Sequence, residues 1–464
     1  MTKEDIICAI STSPGRGAIA VIRVSGKGCI ELCDSIFFSP SGKILKEASP
    51  NTVHFGQIRE RDKLVDEVLV SVFRAPHSYT GEDSVEISCH GSIYIQQRIL
   101  QVLIHAGARM AHPGEYTKRA FLNGKMDLTQ AEGVADLIAS SSSAAHRMAM
   151  NQMKGGFSSE LTKLREELLR LASLLELELD FSEEDVEFAD RKELRELAAK
   201  IDRWLTRLCD SFSLGNVIKN GVPVAIVGNT NVGKSTLLNA LLREERAIVS
   251  DVAGTTRDTI EETLNLDGVT FRFVDTAGIR NTNDQVEAIG IERTFSKIGQ
   301  AKIVLLLADA TKPVEEIIPY YEQVRKNLTS GSQLIVLLNK VDCVDDEEAV
   351  LKQVKAVLPK DSIIPLSAKK GKYIPELEQL LVNTVQAGLQ EADDVVVSNV
   401  RHYEALLSAR KAIRRATEGL SAGVSGEFVS QDIRECIHYL GEITGVITND
   451  AILGFVFKHF CIGK

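Results

Sequence analysis

Residues 224–236 read VAIVGNTNVGKST. An apolar, partly β-branched run leads into a glycine-containing turn, and a lysine, a serine and a threonine follow. That is the pattern of a buried strand, a tight loop and a helix start. The spacing G-x-x-x-x-G-K-[ST] belongs to a phosphate cradle, in which loop N–H groups and the helix N-terminus face anionic oxygens. Lys234 is then the group that reaches the β- and γ-phosphates, and the Ser235 hydroxyl is a ligand for Mg²⁺.

Around this stretch, buried strands alternate with helices: VPVAIVG, TFRFVD, KIVLLLAD, QLIVLLNK and SIIPLSA. Such alternation predicts a mostly parallel sheet with helical crossovers. Three further loops follow strand ends. FVDTAG (273–278) supplies Asp275 for the Mg²⁺ shell and a Gly278 N–H for the γ-phosphate. LLNKVD (337–342) and PLSAK (365–369) close two later strands. Four such loops in this order resemble the GTPase family of P-loop proteins. The resemblance implies that Asp342 accepts from guanine N1 and N2, that the Lys340 stem covers the base, and that the Ala368 N–H meets O6. The expected GTP-binding set is Asn231, Val232, Gly233, Lys234, Ser235 and Thr236, the switch residues Ser250, Asp251, Val252, Ala253, Gly254, Thr255 and Thr256, then Asp275, Thr276, Ala277 and Gly278, with Asn339, Lys340, Asp342, Ser367, Ala368 and Lys369 at the base.

Hydrolysis raises two questions. The water-orienting glutamine that often follows the D-x-x-G glycine is replaced by Ile279, so a polar partner must lie elsewhere. The segment after it offers Asp284, Gln285 and Glu287. Asn231 is the second question. An asparagine carbonyl grouped with backbone carbonyls makes an all-oxygen site for a hard cation, which would supply the positive charge an arginine gives elsewhere. Asparagine is equally a turn residue that tolerates left-handed backbone. Both readings stay open at this point.

Elsewhere the texture differs. Residues 1–120 alternate strand-like runs (GAIAVIRVSG, EVLVSVF, SVEISCHG) with a helical segment, SIYIQQRILQVLIHAG, that stops at Gly107. From 126 to 212 the pattern is helical, with Leu161, Leu164, Leu168, Leu171, Leu175 and Leu179 on one stripe and a break expected at Ser140–Ser143. Helices return after about 385. The predicted division is 1–120, an α/β domain; 121–217 and 385–464, two parts of one all-α domain; and 218–384, a P-loop α/β domain inserted into it.

The net charge of −10 argues against general nucleic-acid affinity, so an RNA partner needs a local basic patch. Arg410, Lys411, Arg414 and Arg415 share one helix face, which usually means a solvated face. Eight cysteines without C-x-x-C spacing suit a reducing cytoplasm and make a zinc site unexpected. No apolar run is long enough for a membrane span, and the early acids in MTKEDIICAI do not suit a signal peptide.

The last eight of the residues given read FKHFCIGK. Together with SPGRGAIAVIRVSG, SYTGEDSVEISCHG, HPGEYTKRAFLNGKMDLTQAE and the switch sequence GTTRD, they resemble the MnmE (TrmE) family of tRNA-modification GTPases over the whole chain. The resemblance implies an N-terminal tetrahydrofolate-binding and dimerisation domain, with one-carbon tetrahydrofolate (the 5-formyl or 5,10-methylene form) contacted by Arg23, Glu86, Lys125 and Lys464. It implies a potassium ion held by Asn231, the Ser250 and Val252 carbonyls and Thr255, Mg²⁺ held by Ser235 and Thr256, and Glu287 orienting the attacking water. It implies a homodimer that joins the flavoprotein MnmG in a heterotetramer. This acts on tRNA and adds a carboxymethylaminomethyl or aminomethyl group at carbon 5 of the wobble uridine. Cys461 is either a nucleophile or a packed thiol. The competing expectation is a regulatory or ribosome-assembly GTPase with no folate chemistry.

Overall fold

The computed structural model describes residues 5–61, 63–180, 191–243, 262–274, 298–329, 331–358, 361–390 and 396–458, with Phe460 and Gly463. Contacts divide the chain into two units, one of Met1–Ile138, Met150–Arg203 and Ala405–Lys464, the other of Ala139–Ala149 and Trp204–Glu404. No described helix is long and apolar enough to cross a membrane.

The first unit is built on seven strands, β1 (Ile7–Ile10), β2 (Ile19–Ser25), β3 (Phe37–Phe38), β4 (Thr52–Glu60), β5 (Lys63–Phe73), β6 (Ser84–His90) and β7 (Arg109–Met110), in the spatial order β3-β4-β5-β6-β2-β1-β7. Pairing is antiparallel except between β1 and β7. One face closes on helix Ile93–His105. Ile99, Leu100, Val102 and Leu103 of that helix join Ile22, Val24, Val70, Val72, Val85 and Ile87 in one core. Gly107, at φ 114°, stops the helix in a backbone region that side-chain-bearing residues avoid. Alternation puts Arg23 and Glu86 on the other face, directly paired across β2 and β6. Further along that sheet Phe55 lies opposite Leu69, and both stay about half exposed, at 53% and 48%.

The helical part of this unit obeys its leucine pattern. Leu161, Leu164, Leu168, Leu171 and Leu175 of helix Gly156–Asp180 are buried, as are Val429, Ile433, Cys436, Leu440 and Ile443 of helix Gly426–Thr444, which packs against it. Two of the four basic residues on the face of helix Val400–Ala422, Arg414 and Arg415, are paired within the unit. Arg414 pairs with Asp202 at 2.9 Å, and Arg415 pairs with Asp432 at 2.8 Å and with Glu435. The expected break falls between helices Leu128–Ala139 and Ser143–Met153.

The second unit carries β8 (Val222–Gly228), β9 (Glu262–Leu266), β10 (Val269–Phe273), β11 (Ile303–Asp309), β12 (Gln333–Asn339) and β13 (Ser362–Pro365), ordered β13-β12-β11-β8-β10-β9. Five strands are parallel, and every residue of β11 is buried, as a sheet covered on both faces requires. The edge strand β9 is antiparallel to β10. Its turn is Asp267–Gly268, both at positive φ (46° and 80°), the backbone a two-residue hairpin demands. Helix Arg191–Asn220 outruns its expected end at 212. It runs on through Gly215, where the Val397 carbonyl approaches so closely that a Cβ would sit 2.2 Å away.

Candidate functional site

The carboxyl ends of β8, β11 and β12 and the turn after β13 converge on one region of the second unit. Between Gly228 and helix Lys234–Arg243 lies the cradle loop. Two of its residues must be glycine. A Cβ on Gly228 would meet the Leu307 carbonyl at 2.4 Å, and one on Gly233 would meet Asn339 Nδ2 at 2.4 Å. Lys234 donates to the carbonyls of Gly228 and Asn229, both at 2.8 Å, so its ammonium is held inside the loop where phosphate oxygens are expected. Burial lowers the Lys234 pKa from its ordinary value. Asn231 stands at the loop crest, exposed, with φ 60°. The turn reading of this asparagine is therefore realised in the backbone.

Asn339 links the loops expected at the base. It is 3% exposed, donates from Nδ2 to the Val232 carbonyl at 2.7 Å, and accepts from the Ala368 N–H at 3.0 Å. One amide thus joins the cradle to the loop after β13. The Ala368 N–H expected at guanine O6 is directed to this amide oxygen here. Ser367 is fully buried and closes a small turn through paired backbone bonds with Lys372, at 3.1 and 3.2 Å. A hydrogen bond from Ser367 holds the Asp342 carboxyl below its usual range, with Lys370, 3.6 Å away, adding to the effect. Asp342 therefore stays an anionic acceptor, which is what reading two N–H donors of guanine requires. Lys340 has φ 69°, and its ammonium lies 2.5 Å from Asp309. Burial works to raise the Asp309 pKa, but hydrogen bonds from Lys340 and Thr311 outweigh it and leave it lowered.

Of the residues expected at this site, Val232, Gly233, Lys234, Ser235 and Thr236 fall on the cradle and the first helical turn, and Asn339, Lys340, Asp342, Ser367, Ala368 and Lys369 fall on the two base loops. Ser250, Asp251, Val252, Ala253, Gly254, Thr255, Thr256, Asp275, Thr276, Ala277, Gly278 and Glu287 lie outside the described residues, as do Cys461 and Lys464. Asp309 was not singled out. Its signal, an acid ending an otherwise apolar strand in LLLADAT, was present.

The first unit holds a second cluster. Arg23 reaches Glu86 through Nε at 3.0 Å and Nη2 at 2.8 Å. Its guanidinium lies 5.1 Å from the Tyr79 ring centre and 5.7 Å from that of Tyr116. The Tyr116 hydroxyl donates to the Arg23 carbonyl at 2.7 Å, and the Tyr79 hydroxyl meets Thr117 at 2.9 Å. Lys125 donates to the Pro76 carbonyl at 3.0 Å, at the start of the loop that carries Tyr79. The penultimate residue of the chain reaches the same sheet. Ser11 donates to the Gly463 carbonyl at 3.3 Å, and a Cβ on Gly463 would lie 2.2 Å from the Ile10 carbonyl. Ile10 pairs with Ile22, the neighbour of Arg23 on β2. The aromatic walls Tyr79 and Tyr116 were missed, though both sit in motifs (SYTGEDS and GEYTKR) that stand out in the sequence.

Comparison with known proteins follows the same lines. A family model described as "GTP-binding protein TrmE N-terminus" matches residues 6–125, and one described as "MnmE helical domain" matches 128–461. The tRNA modification GTPase MnmE of Bacteroides thetaiotaomicron is 56% identical over 99% of this chain and 100% of its own. That of Parabacteroides distasonis is 53% identical over 99% of each, and that of Christiangramia forsetii is 52% identical over the full length of both. Among solved structures, the FeoB G-domain from Methanococcus jannaschii is 26% identical over 36% of this chain and 98% of its own, with a TM-score of 0.26. With two family models spanning almost the whole chain and full-length relatives above half identity, the chain belongs to the MnmE family of tRNA-modification GTPases.

Proposed function

We propose that this GTPase is a potassium-dependent, cytoplasmic enzyme that works on tRNA as a homodimer, with the flavoprotein MnmG in a heterotetramer. In this reading it helps to add a carboxymethylaminomethyl or aminomethyl group at carbon 5 of the wobble uridine. The observation that carries the folate half of the reading is the Arg23–Glu86 pair walled by Tyr79 and Tyr116. A tetrahydrofolate carries a pterin ring with a donor-rich edge and an anionic glutamate tail. The tyrosine faces suit the ring, Glu86 suits the donor edge, and Arg23, Lys125 and Lys464 suit the tail. Gly463 against Ile10 supports the assignment of Lys464, one residue further on. The folate, when bound, supplies the one-carbon unit, and the residues around it bind and orient it. The exposed Phe55–Leu69 pair on β4 and β5 supports a second copy seated on this sheet.

At the nucleotide site, Ser235 and Thr256 would hold Mg²⁺. Asn231, the Ser250 and Val252 carbonyls and Thr255 would hold potassium, which supplies positive charge beside the transferring phosphoryl group. The exposure of Asn231 on the cradle loop fits that role. Lys234 binds the phosphates, Asp342 reads the base, and Glu287 orients the attacking water. Cys461 stands as a candidate nucleophile. In this reading the segments 1–120, 121–217, 218–384 and 385–464 are the folate domain, the two parts of the helical domain and the GTPase domain between them. Titration with 5-formyl-tetrahydrofolate tests the proposal. Saturable binding by the full chain, lost in Arg23→Ala, is the expected result. A chain that binds GDP but shows no folate binding would overturn the folate half and favour a regulatory GTPase.

A further inference from the structure

We infer that Asp309 is a positioning residue for the guanine site, holding the Lys340 ammonium so that the lysine stem is laid across the base before nucleotide arrives. The inference rests on the guanine reading of the loops at 339–342 and 367–369. Asp309 is the last residue of β11 and stands in register with Asn339, whose carbonyl accepts from the Ala310 N–H at 2.9 Å. The carboxylate is therefore fixed beside the residue that follows Asn339. It is 7% exposed, and its two oxygens have separate tasks. Oδ1 accepts from the Thr311 N–H at 3.0 Å and the Thr311 hydroxyl at 2.7 Å, which fixes the side-chain rotamer. Oδ2 meets Lys340 Nζ at 2.5 Å.

At the other end of the pair, Lys340 leaves its strand at φ 69°, a conformation that residues with a side chain avoid and that functional sites retain. The backbone fixes where the stem starts, and Asp309 fixes where it ends. A free lysine side chain samples many rotamers, and freezing them on binding costs affinity. A buried counter-ion removes that cost in advance. The nearby cation Lys312 pairs with Glu316 at 3.1 Å, so it is not placed to replace Lys340. Asp309 thus acts on the base through Lys340, while Asp342 reads the base edge.

The test is a double-mutant cycle on the full chain with a fluorescent GDP. Asp309→Asn keeps an acceptor for Thr311 and removes the charge. It should weaken GDP binding about five- to tenfold, with KM for GTP rising in step and kcat falling far less. In a Lys340→Ala background the same change should cost less than about twofold. Preference for GDP over XDP should stay as in the wild type, because Asp342 is untouched. If Asp309→Asn does not fold, Thr311→Val loosens the same carboxylate and should cost about two- to threefold, again only when Lys340 is present. Three results would overturn the inference: unchanged affinity; tighter binding, which would make the pair a latch that keeps the lysine off the base; or an equal loss in both backgrounds, which would make Asp309 a support for the loop. A wild-type chain that binds no GDP would overturn the guanine reading itself.

Discussion

Asn339→Ala is the substitution whose cost follows most directly from the geometry. The side chain is 3% exposed and makes two hydrogen bonds, to the Val232 carbonyl at 2.7 Å and from the Ala368 N–H at 3.0 Å. Val232 and Ala368 are each 5% exposed, so water has poor access to the orphaned groups. Each buried polar group left without a partner costs about 1–3 kcal/mol, and some relaxation is expected, so a total of about 2–4 kcal/mol is reasonable. The joined loops are the cradle and the turn proposed to read the base, so the loss should fall on the nucleotide-competent arrangement. It should appear as roughly 30- to 1,000-fold weaker GDP binding. Fluorescent-GDP titration, with thermal unfolding as a parallel readout of folding, measures it. Asn339→Asp keeps the acceptor for Ala368 but sets a carboxylate against the Val232 carbonyl, so it should be no better than alanine. Binding within about threefold of the wild type in a folded Asn339→Ala protein would refute the claim that one amide holds the two loops together.

Other predictions address other parts of the molecule. Glu115 is 5% exposed; burial alone would raise its pKa, but hydrogen bonds from Arg109, the His112 N–H and Arg119 pull it down to about 2. A lowered folded-state value means that the stabilisation is complete above the unfolded value near 4.5 and is lost as pH falls toward 2. That contribution is on the order of 3 kcal/mol. Denaturant unfolding of Glu115→Gln should show a loss of that order at pH 7 that shrinks toward pH 2, and equal pH dependence in both proteins would contradict it. Asp342→Asn should shift nucleotide preference from guanine toward xanthine, because the amide offers a donor where the carboxylate accepts. Competition between GDP and XDP measures the shift, and an unchanged ratio would remove Asp342 from the base.

Much of this organisation was legible in the sequence, and the parts that were not have physical reasons. The strand-loop-helix at 222–243 and the later strand ends were readable because buried parallel strands leave long apolar runs. The leucine stripe of helix Gly156–Asp180 was readable by period alone. Edge strand β9 was missed because ETLNL is short and half polar, and the Asp267–Gly268 turn was its real signal. Helix Arg191–Asn220 was expected to end at 212; it runs on through Gly215, where the close approach of the Val397 carbonyl comes from a segment remote in sequence. The base-end loops were located by motif, but the Asn339 bridge and the Asp309–Lys340 pair depend on strand register, which no local pattern encodes. Arg23 and Glu86 came from family resemblance; their alignment across β2 and β6 and the tyrosines around them came from the sheet.

In the proposed mechanism a potassium ion beside Asn231 supplies the charge that stabilises phosphoryl transfer. The direct measurement is GTP turnover by the full chain in matched potassium and sodium buffers, for the wild type and Asn231→Ala. The account predicts turnover at least about tenfold faster in potassium for the wild type, with the advantage abolished by the substitution. Equal rates in the two salts, or a potassium advantage that survives in Asn231→Ala, would contradict it.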